Sequence, residues 1–274
     1  MSAYLSFEWL KFSKRWMPRI ILGLVVGATF VAFWAQGSRV FLRDDLFLPR
    51  GWLAALDFCS RFAPFFWPVL GGIWAGNEYG WGTIRAALTR RPNRIGQVAA
   101  PLIVMLACVA IGIVSTVLAG TIGGLAASGL TGNAAWVNGV WNGDFLTLLL
   151  KGALTAWYVS AFYLILAYAA AIIFRSAAIG LAVGLGGTLA QAVLIRFFVD
   201  LGGNWETIGL HFPYNYANTM ITQVVGAGFA PGSRLAATSS TDPTAAQSLA
   251  ALAIYGGICL VLTAVAVRTR DVTA

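Results

Sequence analysis

Long apolar stretches separated by short polar intervals divide the chain into six blocks. A bilayer core takes about 20 apolar residues per helix. The segments that meet this length run from about Ile20 to Gln36, Phe58 to Asn77, Val98 to Leu118 with an apolar continuation toward Leu125, Phe145 to Phe174, Ala177 to Val199, and Ser248 to Val267. This pattern predicts an all-α membrane protein, a single transmembrane domain over residues 1–274 with six spanning helices.

The polar intervals carry patterns of their own. Over residues 1–17, Leu5, Trp9, Phe12 and Trp16 recur at helical spacing, while Glu8, Lys11, Lys14 and Arg15 fall on other faces. Such a helix suits the headgroup layer, either as a plain anchor or as a coupling element, and Pro18 turns the chain into the first span. No short apolar core with a small-residue cleavage site follows, so the N-terminus is expected to be retained.

Asp57 and Arg61 stand four apart at the start of the second span and are expected to pair on one helical face. The interval 201–247 contains ETIGLHFPYNYANTMITQVV, partly apolar and broken at Pro213, which reads as one or two re-entrant or interfacial helices. GSRLAATSSTDPTAAQS after it reads as a flexible loop. Gly180, Gly184, Gly186 and Gly187 give the fifth span a small-residue edge for close packing, within the subunit or between subunits.

Composition narrows the function. The chain is 59% apolar and only 10% charged, where a soluble domain carries about a quarter charged residues. The net charge of +8 comes from basic residues beside the membrane. Lys11, Lys14, Arg15, Arg19, Arg85, Arg90, Arg91, Arg94, Arg175, Arg268 and Arg270 fall on one side. The other side holds Arg39, Arg43, Arg50 and Arg234, diluted by Asp44, Asp45 and Asp242. The positive-inside bias therefore expects both termini in the cytoplasm. No basic stripe with interleaved aromatics lies elsewhere, so nucleic acid is not an expected partner.

Catalytic chemistry is sparse. Cys59, Cys108 and Cys259 are scattered, and His211 has no neighbour at ligand spacing, so no zinc or haem site is expected. The lysines are Lys11, Lys14 and Lys151, none of which ends a phosphate-binding loop. GxSxG and HExxH are missing, and Asp144 with Lys151 is too little for a catalytic site. Arg196 sits about three-quarters of the way along the fifth span, with Asp200 four residues on. It either faces a path or snorkels outward with Asp200 as its counter-ion.

The polar interval GNEYGWGTIRAALTRRPNR, Gly76 to Arg94, follows the second span. Its pattern predicts that Glu78 opens a helix of about four turns, hinged at Gly80 and Gly82 and stopped by Pro92 and Asn93. Its arginines suit lipid phosphates or an acidic protein groove. The residues alone support a cytoplasmic amphipathic helix.

This interval resembles the pattern E-[YF]-x-x-G-T-x-[RK]-x-x-L-x-x-P-x-[RS]-R of type-2 ABC transporter permeases. Glu78, Tyr79, Gly82, Thr83, Arg85, Leu88 and Arg94 fall on its positions, and Pro92 comes one residue late. The resemblance implies that residues 78–92 are a coupling helix seated in a partner ATPase. It further implies a second permease, identical or homologous, and ATP with Mg bound by the partner and not by this chain. The expected setting is the prokaryotic cytoplasmic membrane. Aromatic faces containing Phe30, Phe33, Trp34, Phe65, Phe66 and Trp67 would meet an amphiphilic or lipid-like cargo, or the bilayer itself. On the residues alone, a non-transporting scaffold or assembly subunit is the alternative, and an ion-coupled carrier, which needs more buried acids, is a third.

Overall fold

The computed structural model describes residues 2–37, 48–80, 94–130, 143–229 and 243–269. Of these residues 94% are helical and none lies in a strand. Among them six helices are long and apolar enough to cross a membrane, so the chain is an all-helical transmembrane protein.

Helix α1 (Ser2–Lys14) is amphipathic and meets α2 (Trp16–Gly37) at Arg15. The break thus precedes Pro18, which sits in the first turn of α2. There its missing N–H removes no helical hydrogen bond. The second span, α3 (Arg50–Gly80), is longer at both ends than its apolar pattern predicts. Leu53, Ala54, Ala55 and Leu56 are buried and extend it backward past Phe58. At its other end Glu78 belongs to the last turn of α3 instead of opening a separate helix. Gly76 is clasped against Ala177, and the chain keeps its helical course as far as Gly80.

Two more long helices follow, α4 (Arg94–Leu130) and α5 (Gly143–Phe174). A tight turn then reverses the chain, with Arg175 in the left-handed region at φ 54°. Ser176 caps the next helix by accepting from the Ile179 N–H at 3.4 Å. The fifth span is composite: α6 (Ala177–Leu181), a π-helical turn (Ala182–Gly186) and α7 (Gly187–Leu201). Gly202 and Gly203 carry the chain through positive φ into α8 (Asn204–Leu210). Pro213 is the first residue of α9 (Pro213–Val224), and α10 (Ala245–Thr269) is the last span. Two short helices, the second opening at Pro213, therefore occupy the interval where the sequence reads a broken segment.

The core is organised around α3 and α5. Their most apolar windows are 67% buried, against 17% for the fifth and sixth spans. Gly71 abuts the carbonyl of Leu164, where an added Cβ would come within 2.6 Å. Gly180 and Gly184 of the fifth span seat against the same pair, on Gly72 and Pro68 of α3 and on Ala167 of α5. In a bilayer, where lipid tails are as apolar as leucine, such close backbone approach is a main source of helix adhesion. That half of the small-residue edge packs inside the subunit, while Gly186 and Gly187 face open space.

Four buried hydroxyls bond within their own helices, whereas those of Ser160 and Ser248 find no partner among the described residues. Thr29, Ser60, Thr116 and Thr188 each donate to the carbonyl four residues back, at 2.6–2.8 Å. One end of the bundle gathers α1, the end of α3, the start of α4 and the ends of α5 and α10. The opposite end carries α8 and α9.

Candidate functional site

The end that holds α1 contains a compact charged cluster. Lys11 lies 2.7 Å from Glu78 Oε1, and Arg15 donates to the same oxygen at 3.2 Å. Lys11 also reaches Glu8, 3.4 Å away on the next turn of α1. Helical geometry produces this convergence: Glu8, Lys11 and Arg15 come at spacings of three and four, so they share a face. That face lies over the end of α3.

Trp74, one turn before Glu78, is the platform beneath the charges. It is 1% exposed, and Phe12 tilts onto its ring at 5.1 Å between centroids. The Arg15 guanidinium stands over the ring at 4.6 Å and the Lys11 ammonium at 5.4 Å. Each cation therefore meets a carboxylate and a π face together. The indole N–H of Trp74 is buried and finds no acceptor among the described residues.

Glu8 is buried, 6% exposed, and this burial raises its carboxyl above the ordinary value of 4.5. The nearby Lys11 charge opposes that rise, whereas Glu78 adds to it. The cost of desolvating the carboxylate outweighs the attraction of its neighbour.

Tyr79 packs part-buried against the core. Arg94 opens α4, with Nη1 at 3.5 Å from the carbonyls of Val267 and Arg268 at the end of α10. A cation at the carbonyl end of a helix suits the negative pole of its dipole. Of the positions matched by the resemblance, Gly82, Thr83, Arg85 and Leu88 lie outside the described residues. Only Glu78–Gly80 of the 78–92 interval are described, and they form the last turn of α3.

Toward the other end, Arg61 Nε donates to both Asp57 oxygens, at 2.9 and 2.8 Å. Its Nη1 donates to Asn218 of α9 at 3.1 Å. The pairing of Asp57 with Arg61 was readable from their spacing. Asn218, far away in sequence, was not. The pair is asymmetric, since the Asp57 side chain is 5% exposed and that of Arg61 33%.

Arg196 and Asp200 are both exposed on α7, and no ion pair joins them among the described residues. The surrounding face is apolar and uncovered at Leu189, Val193 and Phe197. Of the aromatics expected along a path or in lipid, Phe33 and Trp67 are instead core residues, whereas Trp34 and Phe65 are exposed. The large Trp67 ring is accommodated because Gly112 of α4 presents no side chain against it.

Sequence reading missed Trp74, Lys11 and Glu8 as members of one cluster. The available signals were the Trp74–Glu78 spacing of four and the Glu8–Lys11 spacing of three. Neither protein-family models nor curated proteins match this chain.

Proposed function

We propose that this chain is the permease subunit of an ATP-binding-cassette exporter. In this reading it works beside a second permease, identical or homologous, and two cytoplasmic ATPase subunits that bind ATP and Mg. It resides in the cytoplasmic membrane of a prokaryote, with both termini inside. ATP hydrolysis belongs to the partner chains, and the two permeases form a path for an amphiphilic or lipid-like substrate.

The observation that carries the reading is the tie between Glu78 and α1. The polar interval that resembles a coupling helix begins at a carboxylate held by Lys11 and Arg15 over Trp74. Displacement of that interval by a partner would pull α1 directly, and through Trp74 it would load α3, one of the two central helices. The uncovered apolar faces of α2 and α7, including Trp34, Val193 and Phe197, suit contact with a second permease, with lipid or with amphiphilic cargo.

The test is whether the neighbouring reading frame encodes a P-loop ATPase, and then reconstitution of the chain with that ATPase. We expect co-purification, and ATP hydrolysis that responds to the permease. Substituting Glu78 and Arg85 should uncouple that response. Unchanged complex formation together with unchanged stimulated hydrolysis would remove the coupling role.

A further inference from the structure

At the end of the bundle remote from Glu78, α8, α9 and the start of α10 enclose an open recess of about 590 Å³. This falls within the usual range for small-molecule sites, about 300–1,000 Å³. Glu206, Thr207 and Leu210 of α8 line it, with His211, Tyr216 of α9 and Gln247 of α10.

The walls are fixed by hydrogen bonds. Tyr255 donates to the His211 carbonyl at 3.1 Å, tying the turn after α8 to α10. His211 Nδ1 lies 2.7 Å from the Thr207 carbonyl. A carbonyl can only accept, so Nδ1 carries a proton, and Nε2 is the ring nitrogen left to meet a ligand. The imidazole stands edge-on to Tyr216, with centroids 6.0 Å apart and planes at 86°. Gln247 Oε1 accepts from the Thr244 N–H, and Thr244 Oγ1 accepts from the Gln247 N–H. This reciprocal cap occupies donors that the start of α10 would otherwise offer to an anion.

Among the described residues of the lining, Glu206 is the carboxylate and none is a lysine or arginine. Among the described residues Glu206 has no ion pair or hydrogen bond. No group of three metal-ligating side chains occurs among those residues either, which argues against a metal ion as occupant.

We propose that the recess binds an organic ammonium group, with Glu206 as its counter-charge and the Tyr216 ring as the wall it packs against. A carboxylate beside an aromatic face is the recognised chemistry for such cations. The ammonium belongs either to a free small amine or to the headgroup of an amphiphile. The recess is independent of the exporter reading and keeps its role if no ATPase partner exists.

The experiment uses the full chain in nanodiscs of phosphatidylglycerol alone, titrated calorimetrically with choline. The comparison ligand is 3,3-dimethylbutanol, in which carbon replaces the charged nitrogen. Choline should bind saturably and the alcohol at least about 10-fold more weakly, as expected when a charge-assisted contact is lost. Glu206→Gln should weaken choline by a similar factor. Tyr216→Leu should weaken it about 3-fold, while Tyr216→Phe leaves it unchanged. Thermal unfolding verifies that each variant is folded.

Repeating the titration in discs containing phosphatidylcholine separates the sources. A lower apparent affinity for choline identifies the amphiphile headgroup as occupant, and an unchanged affinity identifies a free amine. Equal affinity for the alcohol, no saturable binding of choline, or an unchanged affinity in folded Glu206→Gln would overturn the proposal. If the variant fails to fold, choline against the alcohol on the unaltered chain decides.

Discussion

Lys11 and Glu78 meet at 2.7 Å, joining the first helix of the chain to the end of the second span. Arg15 shares the same carboxylate oxygen, so one acid holds two cations together. Glu78→Gln leaves those cations facing each other, whereas Lys11→Met leaves Arg15 in place. We expect Glu78→Gln to cost about 1–2 kcal/mol, more than an exposed pair and less than a fully buried one. Lys11→Met should cost less. Thermal unfolding in detergent would rank the unaltered chain first, Lys11→Met second and Glu78→Gln last; equal midpoints for the two variants contradict the shared-oxygen arrangement.

Glu8 gives a pH-dependent expectation with a defined sign. Its folded-state carboxyl is raised above 4.5, so the folded chain holds this proton more tightly than the unfolded chain does. Stability contributed by Glu8 is therefore lost as pH rises from 4.5 through the folded value, and is regained on acidification. Glu8→Gln should be more stable than the unaltered chain at neutral pH, with the difference closing as pH falls toward 4.5. Paired unfolding curves across that window check it, and a difference that widens on acidification would contradict the burial argument.

The asymmetry of Asp57 and Arg61 predicts unequal variants. Removing Arg61 strands a carboxylate that is 5% exposed, whereas removing Asp57 frees a guanidinium that can turn toward its exposed side. Arg61→Met should cost about 3 kcal/mol and Asp57→Asn roughly 1–2 kcal/mol. Arg61→Lys should recover little, because a single ammonium nitrogen lacks the rigid fork by which Nε meets Asp57 and Nη1 meets Asn218. Chemical unfolding of the three variants would reveal the order, and a more damaging Asp57→Asn would refute it.

Two glycines of the fifth span should respond in opposite directions to the same methyl group. A Cβ on Gly180 would meet Ala171 Cβ at 2.7 Å and the Ala167 carbonyl at 2.9 Å, while one on Gly187 meets nothing within 4 Å. Gly180→Ala should destabilise by about 1–3 kcal/mol. Gly187→Ala should be neutral or stabilising by up to about 1 kcal/mol. Differential scanning of both purified variants measures the contrast; matching losses would mean that Gly187 is also packed.

Hydropathy alone located all six long helices, because length and apolarity are properties of a segment by itself. It erred where tertiary contacts set the ends. Gly76 against Ala177 carries α3 on to Gly80, and the buried stretch from Leu53 to Leu56 starts it early. Pairing within one helix, as in Asp57 and Arg61, was also legible from spacing. The convergence of Lys11, Arg15, Trp74 and Glu78 was not, because it depends on how α1 lies against α3. The recess around Glu206 escaped for the same reason: its walls come from three helices, and no local motif marks them.

The π-helical turn at Ala182–Gly186 sets the direction in which the rest of its span faces. Such a turn takes in about one residue more than an α turn, which rotates the downstream helix by roughly 100°. Across it the inward edge of Gly180 and Gly184 continues at Thr188, which is buried. Val193 and Phe197 lie on the opposite, exposed side. The second half of the fifth span thus takes its bearing from a surplus residue upstream, and a one-residue deletion there would re-aim the whole strip with no change to any side chain on it.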